Sequence, residues 1–201
     1  MSKEAAPDYP VHELITRRWS PYGFDPERPV SADDLRSLFE AARWAPSSYN
    51  EQPWSYLLAT REQPDEFDKV LSCLVEGNQQ WAKDAPVLAL AVASLNFQRN
   101  DKPNAAAIHD LGLAAGNLCF EATARGLFIH QMIGILPDKA QVTFNIPAGH
   151  RAVTGLAIGY RRAPDDLPEK FRDRDTSPRQ RKLLAEFVFT GKFGEPAGLV
   201  K

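Results

Sequence analysis

Three groups of polar residues in this sequence have types and spacings that could do chemistry. They are the pair Arg17 and Arg18, the segment Pro46–Trp54 (PSSYNEQPW), and the basic residues Arg179, Arg181 and Lys182. A guanidinium presents a planar fork of donors to phosphate oxygens, and loop hydroxyls and amides add fixed dipoles. Asn50 and Gln52 carry both donors and acceptors, which suits the mixed polar edge of a heterocycle. Each group alone is also typical of a solvated helix end or a turn, but their joint occurrence favours a phosphate-bearing ligand.

The common side-chain catalysts and metal sites have no counterpart in the sequence. It contains no G-x-S-x-G nucleophile elbow, and none of the 4 histidines stands four residues from another, as a metal-binding helix requires. Cys73 and Cys119 are far apart and lack a Cys or His at ligand spacing, so we expect two reduced, buried thiols. The glycine signatures of P-loops and Rossmann sites are missing as well. We therefore expect neither a catalytic side-chain nucleophile nor a bound metal.

Length and charge narrow the class of protein further. A chain of 201 residues predicts one domain. The 24 Lys and Arg against 26 Asp and Glu, a net charge of -2, argue against nucleic acid or an anionic membrane as a partner. No segment approaches the ~20 apolar residues that span a bilayer, and Met1–Pro10 lacks the apolar core of a signal peptide. The cytoplasm is therefore the expected location.

Periodic apolar residues predict the helices and strands that must position these groups. The predicted helices are Val11–Arg18, a segment from Ser31 that stops before Pro46, Pro64–Leu74, Asn104–Arg125 and Pro137–Phe144; the predicted strands are Trp54–Thr60, Val87–Ser94 and Ala152–Tyr160. Leu127–His130 is a short apolar segment. The apolar run Val87–Ser94 is typical of a buried central strand. Gly112 and Gly116, four apart on the long helix, favour close helix packing. This order of elements indicates an α+β or three-layer α/β domain.

The C-terminal fifth of the chain follows a different pattern. From about Arg161 to Arg181 it is rich in charge and proline, and no helix or strand period fits it. Leu183–Phe189 is nevertheless apolar, so it must pack on this domain or on a partner chain.

One long motif resembles a known family. The run Ala41–Trp54 (AARWAPSSYNEQPW), preceded by Arg17 and Arg18 and by Pro29–Val30, closely resembles the FMN-dependent nitroreductase family. Weaker similarity continues through the residues Gly126–Leu127, Met132–Ile135, Ile158–Tyr160, Arg179 and Arg181. The resemblance implies a single FMN-binding domain over 1–201, an α+β three-layer sandwich with a mainly antiparallel central sheet flanked by helices. It also implies a homodimer with FMN at the interface, in which residues from about 161 to 201 form a tail that wraps the partner.

The resemblance also implies which residues contact the cofactor. The basic residues Arg17, Arg18, Arg179 and Arg181 would hold the phosphate and nearby ribityl oxygens, and Pro46, Ser47, Ser48 and Asn50 would approach the flavin from the other chain. Ile133 and Gly134 would face the flavin N5 side, and Asn78 the pyrimidine edge. Trp19 stands where relatives often carry a phosphate-binding Ser, so either Ser20 or a backbone amide substitutes, or the affinity for the phosphate is lower. Trp81 stands where some relatives carry a basic side chain; with Phe97 it would either line an open flavin face or belong to the core or dimer interface.

The activity implied by the resemblance is a two-electron transfer in two half-reactions. NADH or NADPH reduces FMN, and a small acceptor such as a nitroaromatic, a quinone or an aldehyde reoxidises it. The flavin N5 carries the chemistry, so no catalytic side chain is required. The alternative is a flavin-binding carrier or sensor without turnover.

Overall fold

The computed structural model describes residues 3–200. Its helices are α1 (Glu13–Arg17), α2 (Ala32–Arg43), α3 (Pro64–Ser72), α4 (Glu76–Ala82), α5 (Ala107–Ala124), α6 (Pro137–Thr143) and α7 (Glu169–Thr176). Its strands are β1 (Trp54–Thr60), β2 (Val87–Ser94), β3 (Phe128–Met132) and β4 (His150–Gly159). Short 3₁₀ turns occupy Ser48–Asn50, Pro164–Asp166, Leu184–Glu186 and Gly198–Val200.

The four strands form one antiparallel sheet in the order β1-β2-β4-β3. Strand β2 is central and buried along almost its whole length, as its apolar run predicts. Because neighbouring side chains of a strand point to opposite faces, Leu88 and Leu90 join one core and Val87 and Ala89 the other. The sheet thus separates two helical layers, with α3, α4 and α6 on one face and α2 and α5 on the other. The predicted α+β sandwich with an antiparallel sheet is confirmed.

Local signals account for most helix boundaries. Ser31 caps α2 by accepting a hydrogen bond from the Asp34 amide, and prolines begin α3 and α6. The long helix starts at Ala107 rather than at Asn104, because the Asn104 side chain accepts from the Ala106 amide in the turn that precedes it. Helix α4 was not predicted, because its polar sequence EGNQQWA has no apolar period.

The chain after β4 divides into two parts. Residues 161–176 pack on their own domain: Arg161 bridges to Phe24, and Phe171 on α7 is buried in the core. From Leu183 onward four large apolar side chains are exposed, Leu183, Phe187, Phe193 and Leu199, and Phe193 almost completely so. Within the described part of the chain, no helix is both long and apolar enough to cross a membrane.

Candidate functional site

Three arginines from opposite ends of the sequence lie close together, and we call them the arginine cluster: Arg18, Arg179 and Arg181. Arg18 ends α1, and the other two follow α7. The Arg179 guanidinium donates to the Thr16 carbonyl at 2.6 Å, which ties it to the last turn of α1. Burial and the positive charges of Arg18 and Arg181 lower the pKa of Arg179.

The arginine cluster carries uncompensated positive charge. Among residues 3–200, none of its guanidiniums forms a salt bridge with a carboxylate. Like charges held together without a counterion repel one another, and an anion that enters between them removes that repulsion. The donor set therefore fits a phosphate group, which guanidiniums bind through paired hydrogen bonds.

Arg17 and Trp19, the sequence neighbours of Arg18, have other surroundings in the structure. Arg17 lines a surface pocket of about 460 Å³ together with Lys3, Trp19, Phe128 and Arg161. The Trp19 ring is buried edge-on against Phe128, with ring centroids 5.7 Å apart. Arg17 thus lines a pocket that adjoins the arginine cluster through Lys3, and the Trp19 indole serves packing.

A second part of the site is the turn after β3. The Gly134 carbonyl accepts hydrogen bonds from the Val75 amide at 3.1 Å and from Asn78 Nδ2 at 2.9 Å. A Cβ at Gly134 would lie 2.6 Å from Asn78 Nδ2 and 2.9 Å from a Val75 methyl, so only glycine fits. Within residues 3–200 the Gly134 amide has no hydrogen-bond acceptor, and the preceding Ile133 side chain is 81 % exposed. This turn therefore presents a free backbone donor beside an exposed apolar side chain, while the Asn78 amide nitrogen is used within the protein.

The third part is the loop between α2 and β1, which carries unusual backbone angles. Tyr49, Asn50 and Gln52 have φ angles of 55°, 58° and 53°, the left-handed region that non-glycine residues rarely adopt. The Ser48 amide donates to the buried Asp110 carboxylate at 2.9 Å, and Ser47 Oγ accepts from the Gln52 amide at 3.0 Å. The loop is thereby fixed against the first turns of α5, and Pro46 and Asn50 remain exposed.

The loop and the arginine cluster lie at different positions along α5. The loop contacts α5 at Asp110, whereas Arg18 acts electrostatically on the thiol of Cys119, nine residues further on. Nine helical residues span about 13 Å. Within one chain the loop and Arg18 therefore lie near different turns of α5.

The structure shows the environments of Trp81 and Phe97, for which the sequence left two alternatives. Trp81 is 2 % exposed and packs among the rings of Tyr22, Phe24 and His130. The expectation that it lines an open flavin face is wrong, and its core alternative holds, because α4 turns the indole toward the sheet. Phe97 is half-buried against Tyr49, whose ring centroid lies 6.0 Å away.

Sequence reasoning missed two carboxylates that organise these segments. Asp110 holds the Ser48 amide, and Asp175 on α7 accepts from the amides of Tyr22 and Gly23. Both side chains are buried. A charged residue at an apolar position of a helix was the available signal for Asp110, since it falls on the same face as Leu111 and Ala114.

Helix α5 also carries an uncovered apolar surface. Ile108, Leu113 and Phe120 are exposed on it, and a Cβ at Gly112 or Gly116 would meet nothing within 4 Å. No other element of residues 3–200 covers this strip, which we call the α5 outer face. Exposed apolar strips of this kind are typical of protein–protein interfaces.

Comparison with known proteins places these features in context. The model of the nitroreductase family matches residues 15–82 and 62–160. Protein DrgA of Synechocystis is 30 % identical over 80 % of this chain and 87 % of its own length. The major NAD(P)H-flavin oxidoreductase of Aliivibrio fischeri is 24 % identical over 90 % of this chain and 98 % of its own. A crystal structure described as an oxidoreductase containing FMN superimposes with a TM-score of 0.89 at 34 % identity, covering 96 % of this chain and 98 % of that one.

Proposed function

The chain belongs to the nitroreductase family, and we propose that it is an FMN-dependent oxidoreductase that uses NADH or NADPH to reduce a small acceptor. The observation that carries this proposal is the arginine cluster, whose three guanidiniums have no carboxylate partner within residues 3–200. Bound FMN would supply the redox chemistry, the transfer of a hydride from the nicotinamide and of two electrons to the acceptor.

Each part of the site has a separate task in this proposal. The arginine cluster binds the FMN phosphate, and Arg179 is held for this task by its bond to the Thr16 carbonyl. The free Gly134 amide donates to the flavin on its N5 side, and the exposed Ile133 side chain excludes water there. The remaining predicted contacts, Asn78 Oδ1 and the backbone around Trp19, are part of the same proposal. Arg17 has the weakest case for a phosphate contact, because it lines the neighbouring pocket.

We further propose that the site is completed by a second copy of the chain. The loop residues Pro46, Ser47, Ser48 and Asn50 lie about 13 Å along α5 from the level of Arg18, so they would serve the flavin bound by the partner. The α5 outer face supplies an apolar contact surface for that partner, and its glycines allow close helix approach. The exposed apolar side chains of the segment 183–200, among them Leu183 and Phe187, would extend the same interface.

The acceptor classes that we propose are nitroaromatics, quinones and small aldehydes. They are electron-poor compounds that can accept two electrons from a reduced flavin. A location in the cytoplasm stays a prediction from the sequence.

The visible spectrum of the purified protein tests the proposed function. We expect a yellow protein whose flavin absorbance bleaches under anaerobic NADH or NADPH and returns when a quinone or nitroaromatic is added. Bleaching without reoxidation by any acceptor class would support a carrier or sensor instead. A colourless protein that gains no thermal stability from added FMN would refute the proposal.

A further inference from the structure

Asp175 connects two distant segments of the chain through a buried carboxylate. It is the penultimate residue of α7 and is 4 % exposed. Its two oxygens accept hydrogen bonds from the backbone amides of Tyr22, at 2.8 Å, and Gly23, at 3.0 Å. These partners are more than 150 positions away in sequence. No salt bridge to this carboxylate occurs among residues 3–200, so its contacts are chiefly with the backbone.

The segment that Asp175 binds is fixed from several sides. A ring nitrogen of His130 bonds the Pro21 carbonyl at 2.8 Å, and Arg174 donates to the Tyr22 hydroxyl at 2.8 Å. A Cβ at Gly23 would lie 2.5 Å from a methyl group of Leu167. Glycine at position 23 therefore allows the Leu167 side chain to pack directly against this segment. Residues 21–24 and α7 therefore form one rigid unit.

This unit stands between the two arms of the arginine cluster. Arg18 lies four residues before Tyr22, and Arg179 lies four residues after Asp175. A connection of four residues spans at most about 14 Å even when extended. The contact between Asp175 and the amides of residues 22 and 23 therefore restricts where Arg18 and Arg179 can lie, because each is connected to it by only four residues.

The cluster needs such a link because charge works against its assembly. Burial lowers the pKa of Arg179, and the charges of Arg18 and Arg181 lower it further, so both guanidiniums repel Arg179 before an anion arrives. Asp175 does not neutralise them: burial raises the pKa of its carboxyl, and the two amides and Lys3 oppose that shift. Its contribution is therefore geometric, since it holds the two arms at a fixed separation.

We propose that Asp175 is a positioning residue that sets the arginine cluster for phosphate, so that the protein prefers FMN over the phosphate-free riboflavin. The inference rests on the proposed function, because it assumes that the cluster binds the FMN phosphate. A preorganised cluster loses less freedom when the phosphate binds, which appears as affinity for the phosphate-bearing flavin alone.

The test is to titrate the apoprotein with FMN and, separately, with riboflavin, and to monitor binding by the quenching of flavin fluorescence. In Asp175→Asn the new amide can accept from only one of the two backbone amides. We expect its FMN affinity to fall about tenfold, the effect of one such hydrogen bond, while its riboflavin affinity stays at the wild-type value. Asp173→Asn, which removes the same charge from an exposed position of α7, should change neither affinity.

Three outcomes separate the inference from the proposed function. Wild-type protein that binds neither flavin refutes the proposed function itself. Wild-type preference for FMN that persists in folded Asp175→Asn, or an equal loss for both flavins, overturns only the positioning role. Should Asp175→Asn fail to fold, Asp175→Glu carries the test, because its longer carboxylate still accepts from the amides but displaces α7; an unchanged preference in that folded variant also overturns the inference.

Discussion

Removal of the Arg18 charge should have opposite effects on cofactor affinity and on the stability of the apoprotein. In Arg18→Gln one guanidinium leaves the arginine cluster, and the phosphate loses a charge-assisted contact of about 1.5–3 kcal/mol. The dissociation constant of FMN should therefore rise roughly 10- to 100-fold. Riboflavin, which has no phosphate, should bind as it does to the wild type.

The apoprotein should not lose stability in the same variant. Arg18 lowers the pKa of Arg179, and its guanidinium donates no side-chain hydrogen bond within residues 3–200. Its removal relieves repulsion in the empty cluster, so the apoprotein Tm should stay unchanged or rise. Added salt should narrow the Tm difference, because it screens the repulsion in the wild type.

The assay combines flavin titration with thermal denaturation in phosphate-free buffer. Arg36→Gln is the matched control, since it removes one arginine charge from the exposed face of α2, where the side chain is 76 % exposed and pairs with Asp33. Arg17→Gln should weaken FMN less than Arg18→Gln, because Arg17 lines the neighbouring pocket. Wild-type FMN affinity in Arg18→Gln, or an equal loss of riboflavin affinity, would refute the assignment of the cluster to the phosphate.

Three further predictions address the turn, the interface and the core. Gly134→Ala places a Cβ 2.6 Å from a neighbouring side-chain nitrogen. The resulting overpacking, about 1–3 kcal/mol, should lower Tm by several degrees and reduce the rate of NAD(P)H oxidation. The control Gly77→Ala, which has open space around the new methyl group, should change neither. Leu113→Glu on the α5 outer face should convert a dimer to a monomer by light scattering after size-exclusion chromatography, and Val142→Glu, at a more exposed position on α6, should not; a wild-type monomer at micromolar concentration would contradict the proposed interface. Burial lowers the pKa of His130, so between about pH 6.5 and the folded-state pKa the unfolded chain binds a proton that the folded chain does not. The free energy of unfolding should thus fall as pH decreases below about 6.5. The urea midpoint should depend less on pH in His130→Gln than in the wild type. The same pH dependence in both proteins would contradict a lowered pKa of His130 as the cause.

The sequence by itself determined the elements that depend on local patterns. The apolar run of β2, the Ser31 cap of α2 and the apolar face of α5 each record a buried environment within a few neighbouring residues, so their type could be predicted. The family and its cofactor followed from the resemblance of one continuous motif, AARWAPSSYNEQPW, which includes the loop with unusual backbone angles. Helix α4 escaped prediction because tertiary contacts, such as the bond of the Val75 amide to the Gly134 carbonyl, stabilise it rather than its own periodicity.

Only the tertiary structure decided how the site is assembled. Arg17 and Arg18 are identical in type and adjacent in sequence, yet one lines a pocket and the other joins the arginine cluster. Nothing near Asp175 in the sequence indicates that it holds amides more than 150 residues away. Such contacts depend on how the helical layers and the sheet pack together. The residues next to a given position in the sequence therefore do not indicate which distant residues it contacts.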